Sequence, residues 1–302
     1  MSALCSGSIK SLSRRKNIVW PFCKYIYNMN HQASGGVEFL RRGNNNCLAY
    51  RWTKRSAPRP RVSDCEADQR QDDHHGEVRP SDVGHFNANG IMFLPGFLSN
   101  MNGGKALALE QFCKQSNYEF TRFDYQGCGE SKGEINMNGT VFDVWKDDAL
   151  AVLDNLTTGP QVLVGSSMGG AIMLLLALER PERVHSLVGI ATPNYDKPFE
   201  IQSTSQADGN TKTKTSFDYI GQQNRDILAS KSLAIQRPLR FIHGMQDDVV
   251  GYESALELAN KVESEDVQVI LQKSGSHRMS TPEGLQLMLK TVQDLLRINS
   301  RL

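Results

Sequence analysis

From Gly90 onward the chain alternates short apolar runs with longer amphipathic stretches. Residues 91–94 (Ile-Met-Phe-Leu) predict a buried strand stopped by Pro95-Gly96. Residues 105–113 place Ala106, Leu109, Phe112 and Cys113 on one helical face. A second strand is expected over 120–125. Next, Val141, Trp145, Ala149, Val152, Leu153 and Leu156 form one stripe of a helix that ends at Gly159-Pro160. Residues 161–164 (Gln-Val-Leu-Val) then read as a buried strand, followed closely by the apolar run 171–178, a core helix that stops before Pro181. Further strands are expected at 184–190, 239–243 and 267–271, with a helix near 254–262. The last helix takes Thr281 as N-cap and Pro282 at its first position. Its buried stripe should hold Leu285, Met288, Leu289, Val292, Leu295 and Leu296.

Alternation of this kind builds a mostly parallel sheet covered on both faces by right-handed crossovers. The fold class is therefore α/β, with a single domain over residues 38–302. Two polar stretches break the rhythm. Residues 55–89 are rich in Arg, Asp, Pro and Gln and read as a disordered insertion. Their Asp72-Asp73-His74-His75 cluster reads as solvated loop, so no metal is expected. Residues 193–236 lie between two strands and would sit over the strand ends as a cap or lid.

The first 37 residues carry Lys10, Arg14, Arg15, Lys16 and Lys24, several serines, and no acidic residue before Glu38. That composition is expected of a mitochondrial transit segment, and the matrix is the expected location. An uninterrupted apolar core of a secretory signal is missing. Over the whole chain 34 Lys and Arg face 33 Asp and Glu, so bulk charge points to no nucleic-acid partner. No apolar run reaches the roughly 18 residues of a membrane span, so no stable membrane insertion is expected. The six cysteines are scattered without a C-x-x-C pair, which predicts free thiols rather than a zinc site or disulfide framework.

Chemistry enters at Gly165-Ser166-Ser167-Met168-Gly169. A strand, a tight turn centred on one serine and a helix form the setting of a nucleophile elbow, G-x-S-x-G. Ser167, not Ser166, sits midway between the glycines. Side chains at Gly165 and Gly169 are expected to clash with the serine backbone across the turn. A serine nucleophile needs a base, and the base needs an acid to orient it. On elbows of this kind the order along the chain is Ser, then Asp or Glu, then His. Of seven histidines only His277 follows both the elbow and the acidic pair Asp247-Asp248. The turn itself leaves both carboxylates open as the acid. His243, just before it, is expected to brace the strand end. Stabilisation of an oxyanion requires two donors: the backbone N–H of Met168 is one, and the loop after the early strand should supply the other.

Four further motifs carry a resemblance. Residues 124–131 (Asp-Tyr-Gln-Gly-Cys-Gly-Glu-Ser) are similar to the D-x-x-G-x-G-x-S turn of α/β-hydrolases. Residues 180–184 (Arg-Pro-Glu-Arg-Val) resemble their P-E-R-V strand entry. Residues 243–250 resemble their H-G-x-x-D-x-x-V segment, an alignment that puts the acid at Asp247 and leaves Asp248 as a neighbouring carboxylate. Leu94-Pro95-Gly96-Phe97 likewise resembles the H-G-[FG] oxyanion turn, with Pro in place of His, which implies the Phe97 N–H as the second oxyanion donor. The chain is thereby identified as a member of the α/β-hydrolase superfamily, with that fold and a reduced cap between two C-terminal strands. Residues 93–99, 101–103, 105–108, 122–125, 165–170 and 243–245 are similar to the mitochondrial family of α/β-hydrolase-domain protein ten. Over roughly 90–192 and 237–300 the resemblance implies a serine hydrolase acting on acyl-protein thioesters and drug acyl-glucuronide esters, without a cofactor. Its triad maps onto Ser167, Asp247 and His277. Residues 55–89 are longer than that family leads one to expect, and the excursion after Thr192 is shorter and more polar. A non-catalytic ligand-binding protein on the same scaffold is the alternative. An Asp-nucleophile dehalogenase or epoxide hydrolase is disfavoured by the serine at the elbow.

Overall fold

A computed structural model of the chain describes residues 37–41, 47–53, 88, 90–136, 140–195 and 219–298, together with the backbone of 199–204 and 212–217. The basic leader up to residue 36 and the cluster Asp72–His75 lie outside the described residues, as do Cys5, Cys23 and Cys65. Cys47, Cys113 and Cys128 are free thiols.

Among the described residues, ten strands and six helices follow in chain order: β1 (Glu38–Arg41), β2 (Cys47–Thr53), β3 (Gly90–Leu94), α1 (Gly104–Ser116), β4 (Glu119–Phe123), α2 (Val141–Leu156), β5 (Gln161–Ser166), α3 (Met168–Glu179), β6 (Val184–Ile190), β7 (Phe199–Thr204), β8 (Lys212–Phe217), α4 (Gln222–Ala229), β9 (Leu239–Gly244), α5 (Glu253–Lys261), β10 (Val267–Gln272) and α6 (Pro282–Leu296). Eight strands form one sheet in the order β1-β2-β4-β3-β5-β6-β9-β10. From β4 to β10 every neighbouring pair is parallel, and β1 and β2 close one edge in antiparallel fashion. The elements expected from Gly90 onward are all present, with ends moved by up to three residues.

Because successive strand side chains point to opposite faces, each buried strand feeds two cores. Met92, Leu94, Leu163, Leu187 and Phe241 pack with α2, α3 and α5. Ile91, Phe93, Val162, Val164, Val188 and Ile242 pack on the other face with α1 and α6. The apolar α3 has no polar stripe to offer solvent, and it is buried along nearly its whole length. In α6 the Thr281 side chain accepts from the Gly284 N–H as an N-cap, but the buried stripe is rotated from the expected one. Gly284 and Thr291 are buried with Met288, Val292, Leu295 and Leu296, while Leu285 and Leu289 are half-buried. Gly284 approaches the Met279 backbone too closely for a side chain, and this contact sets the helix rotation.

Two features were not anticipated. β1 and β2 extend the sheet from a region with no called element, and Leu48 and Ala49 are both fully buried there. The excursion over 193–236 contains an antiparallel hairpin, β7–β8, outside the main sheet, followed by α4. Tyr195 and Tyr219, which flank the hairpin in the chain, meet through their hydroxyls, 2.7 Å apart and buried.

Candidate active site

The sharp turn between β5 and α3 begins at Ser166, the last strand residue, and leaves Ser167 at φ 53°, ψ −125°. Such a backbone is strained for any residue with a Cβ, and it persists where surrounding structure over-determines it. Here the Ser167 N–H donates to the Ile190 carbonyl at 2.7 Å, and the Ser167 carbonyl accepts from the Gly170 N–H at 2.8 Å. Ser166 is buried, whereas Ser167 is half-buried with its hydroxyl free to meet a partner.

The flanking glycines act on different neighbours from those expected. A Cβ on Gly165 would strike the backbone of Gly169 and Gly170, the first turn of α3. A Cβ on Gly169 would strike the carbonyls of Leu94 and Pro95 at the end of β3, not the serine. The glycines therefore let α3 lie directly against the strand before it and against the loop beside it.

That loop is held from below. The Ser99 N–H donates to the Gly96 carbonyl at 3.1 Å, a turn with Phe97 and Leu98 in its middle positions and Leu98 at φ 51°. Positive φ at the second middle position alone marks a type II turn, normally a glycine site. Asp124 accepts from the Met101 N–H at 2.6 Å and from the Glu130 N–H at 2.9 Å. Arg122, fully buried, donates to the Met101 carbonyl at 2.7 Å, to Asn102 Oδ1 at 2.6 Å and to Glu110 at 2.8 Å. Burial pushes the Asp124 carboxyl up to about 6, against the pull of its two backbone donors. The Phe97 ring packs edge-on against Trp145 at 5.6 Å and tilted against Tyr219 at 5.2 Å. Phe97 and Met168 thus lie on the two segments that meet at Gly169.

His277 sits in the loop after β10. Its Nε2 lies 3.1 Å from Ser167 Oγ and its Nδ1 2.8 Å from Asp247 Oδ2. Lys105, in the first turn of α1, donates to the Arg278 carbonyl and fastens this loop to the other side of the site. Asp247 follows β9 and has a fully buried carboxylate, whereas Asp248 is exposed. Asp247 Oδ1 accepts from the N–H groups of Val249 and Val250 at 2.9 and 2.8 Å. Burial alone would push the Asp247 carboxyl up. Donation from His243 and His277, the His277 charge and the Val250 N–H outweigh it and hold the group well below the usual carboxylate range. An imidazole carrying its proton on Nδ1 toward Asp247 leaves Nε2 free to accept from a serine hydroxyl.

Arg122 was missed by the sequence reading. Its signal is a charged residue at an inward position of the apolar strand Glu119–Phe123. Tyr219, inside the excursion over 193–236, carries no local signal.

A family model described as the alpha/beta hydrolase fold matches residues 90–214. Over 224 residues the chain is 38% identical to "Palmitoyl-protein thioesterase ABHD10, mitochondrial" of Mus musculus, which covers 68% of this chain and 75% of that protein. The chain belongs to the ABHD10 family of α/β-hydrolases. The Homo sapiens protein of the same name is also 38% identical, over 68% of this chain and 72% of its own length. The solved structure of "Alpha/beta hydrolase domain-containing protein 10 from mouse" superposes with a TM-score of 0.67 at 32% identity, covering 87% of this chain and 98% of that one. Membership makes the chain a hydrolase. ABHD10 relatives are designated mitochondrial, in agreement with the address expected from the basic leader. Among the described residues no helix is long and apolar enough to cross a membrane.

Proposed function

We propose that the chain hydrolyses acyl thioesters and esters through an acyl-enzyme on Ser167. The observation that carries this reading is the continuous line from Ser167 Oγ through the His277 ring to Asp247 Oδ2, at 3.1 and 2.8 Å. His277 takes the serine proton as Oγ attacks the acyl carbon, and Asp247 holds the tautomer and stabilises the imidazolium. The Phe97 and Met168 N–H groups receive the developing oxyanion, each worth about 2.7–4 kcal/mol in the transition state. His277 returns the proton to the leaving group, and water then repeats the sequence on the acyl-enzyme. A thiol leaving group, with a pKa of about 8.5, departs with little help from that proton. For a thioester, His277 therefore matters most for serine activation and deacylation.

S-palmitoylated protein is the substrate class we assign, with acyl-glucuronide esters as a second class on the same serine. Support comes from the name carried by the mouse and human relatives and from the thioester argument above. We place the enzyme in the mitochondrial matrix, with residues 1–37 as transit segment and 38–302 as the hydrolase domain. Residues 193–236 then form the cap that shapes the acyl or leaving-group pocket. Labelling with a fluorophosphonate probe, wild type beside Ser167→Ala, tests the chemistry. Competition with S-palmitoyl peptide and with acyl-glucuronide ranks the substrates. An unlabelled wild type overturns the serine-hydrolase reading, and equal turnover of S-palmitoyl peptide and unrelated simple esters overturns the depalmitoylase assignment.

A further inference from the structure

His243 lies near the end of β9 and is completely buried. Its Nε2 faces two acceptors, the Val250 carbonyl at 3.0 Å and Asp247 Oδ2 at 3.2 Å. A carbonyl and an ionised carboxylate can only accept, so the ring hydrogen on this side must sit on Nε2 and is shared between them. Nδ1, on the other side of the ring, is buried without a hydrogen-bond partner. An unpaired polar atom in the interior opposes folding, and an aliphatic residue would suit a strand flanked by β6 and β10 better. The register places Leu271 of β10 beside it and Ile190 of β6 beside the preceding residue. What an imidazole supplies here and an aliphatic residue does not is the Nε2 hydrogen.

Four donors therefore converge on the Asp247 carboxylate. Oδ1 takes the N–H groups of Val249 and Val250, and Oδ2 is shared by His243 Nε2 and His277 Nδ1. The backbone pair fixes one oxygen, and the two imidazoles meet on the other. We propose that His243 is a positioning residue for the reaction, holding Asp247 Oδ2 toward His277 and drawing off part of the charge that His277 would otherwise face alone. The inference rests on the Ser167–His277–Asp247 reading and adds a member that touches neither substrate nor serine. Charge-assisted bonds to one oxygen compete, so loss of the His243 hydrogen makes the carboxylate a stronger partner for the His277 imidazolium. The ionisable groups around the His243 ring that enter this balance are Asp247, in direct contact, and His277 beyond it; β6 and β10 present aliphatic neighbours. The acidic limb of the kcat/KM profile must then move to higher pH when that hydrogen is removed. Asp247 must also hold its angle to His277 less well, which lowers kcat.

The test compares His243→Gln, His243→Asn and His243→Leu in the full chain. A glutamine amide nitrogen reaches the position of Nε2, whereas an asparagine amide falls short, and a leucine has no donor. Active sites are counted by fluorophosphonate labelling, so that misfolded protein drops out of the rate. We expect His243→Gln to keep the wild-type limb and rate per labelled site. We expect His243→Asn and His243→Leu to lose roughly tenfold in kcat per labelled site, the size of one hydrogen bond to a charged group, with the acidic limb displaced upward. Should His243→Leu not fold, the Gln and Asn pair, alike in polarity and different in reach, decides alone. Wild-type limb and rate in the Asn variant, or a Gln variant as impaired as Asn, overturns the proposal while leaving the triad reading intact. A wild type that takes no label removes that reading, and the proposal with it.

Discussion

Gly169 meets the Leu94 carbonyl so closely that the space between them cannot hold a methyl group. The start of α3 and the end of β3 are thereby locked at backbone contact, with Ser167 on one side and the Phe97 turn on the other. Gly169→Ala must push these segments apart and spoil both. A loss of about 1–3 kcal/mol in stability follows from overpacking. Turnover per folded molecule should fall by at least tenfold, because a displacement near 1 Å is costly at a reacting centre. Thermal unfolding beside a labelling-normalised rate separates the two effects, and an alanine variant with wild-type turnover would contradict the contact.

Met168 contributes a backbone group to the proposed oxyanion hole, and its side chain is buried in the core beneath α3. Met168→Ala should therefore cost stability, about 2–5 kcal/mol for a buried methionine, with kcat altered less than tenfold. Ser167→Ala should abolish labelling and reduce turnover by more than a thousandfold. Steady-state rates on an activated ester, with chemical unfolding of the same samples, check the contrast.

Adjacent carboxylates give a third comparison. Asp247→Asn replaces an acceptor of four donors by a group that must itself donate, and turnover should fall on the order of 10³–10⁴-fold. Asp248→Asn changes an exposed side chain and should leave kcat within twofold. Equal losses in the two variants, measured at one pH, would put the acid elsewhere.

Asp124 makes folding sensitive to mild acid in an unusual direction. Its carboxyl is raised from 3.8 in the unfolded chain to about 6 in the fold, chiefly by burial. Between those values the folded state binds the extra proton, so this group's contribution is full below about 4 and is lost as pH rises through about 6. Relative to Asp124→Asn, wild-type stability should decline by roughly 2–3 kcal/mol across that window. Urea unfolding at pH 4, 5, 6 and 7 reads this difference directly. A pH-independent difference would show that the carboxylate is not the cause.

The Phe97 ring is clamped between Trp145 and Tyr219, and its own N–H is the proposed second oxyanion donor. Tyr219→Ala removes one jaw of the clamp and should lower kcat more than it raises KM. Tyr219→Phe keeps the ring and should retain most of the rate. Full kinetics on a short-chain and a long-chain thioester measure both, and an effect confined to KM would place Tyr219 in substrate binding instead.

Local pattern reached the sheet from β3 to β10 because each element has its own periodic signal and a Gly or Pro at its end. It reached Ser167 and His277 because the elbow has a fixed spacing and the order along the chain admits one histidine. Other features lack a local signal. β1 is four residues long and gains its place only by pairing with β2. The β7–β8 hairpin is polar in sequence, so neither period stands out there. Arg122 and Asp124 hold the Phe97 loop across more than twenty positions of chain, and no spacing rule connects those residues. The separation of Asp247 from Asp248 likewise depends on which carboxylate the turn buries.

The hydroxyl pair of Tyr195 and Tyr219 ties together the two residues that flank the β7–β8 hairpin in the chain. Exchanges within the hairpin that keep this contact should leave the serine, its histidine and the Phe97 turn as they are. Substrate choice and bond-breaking are then free to evolve on separate schedules.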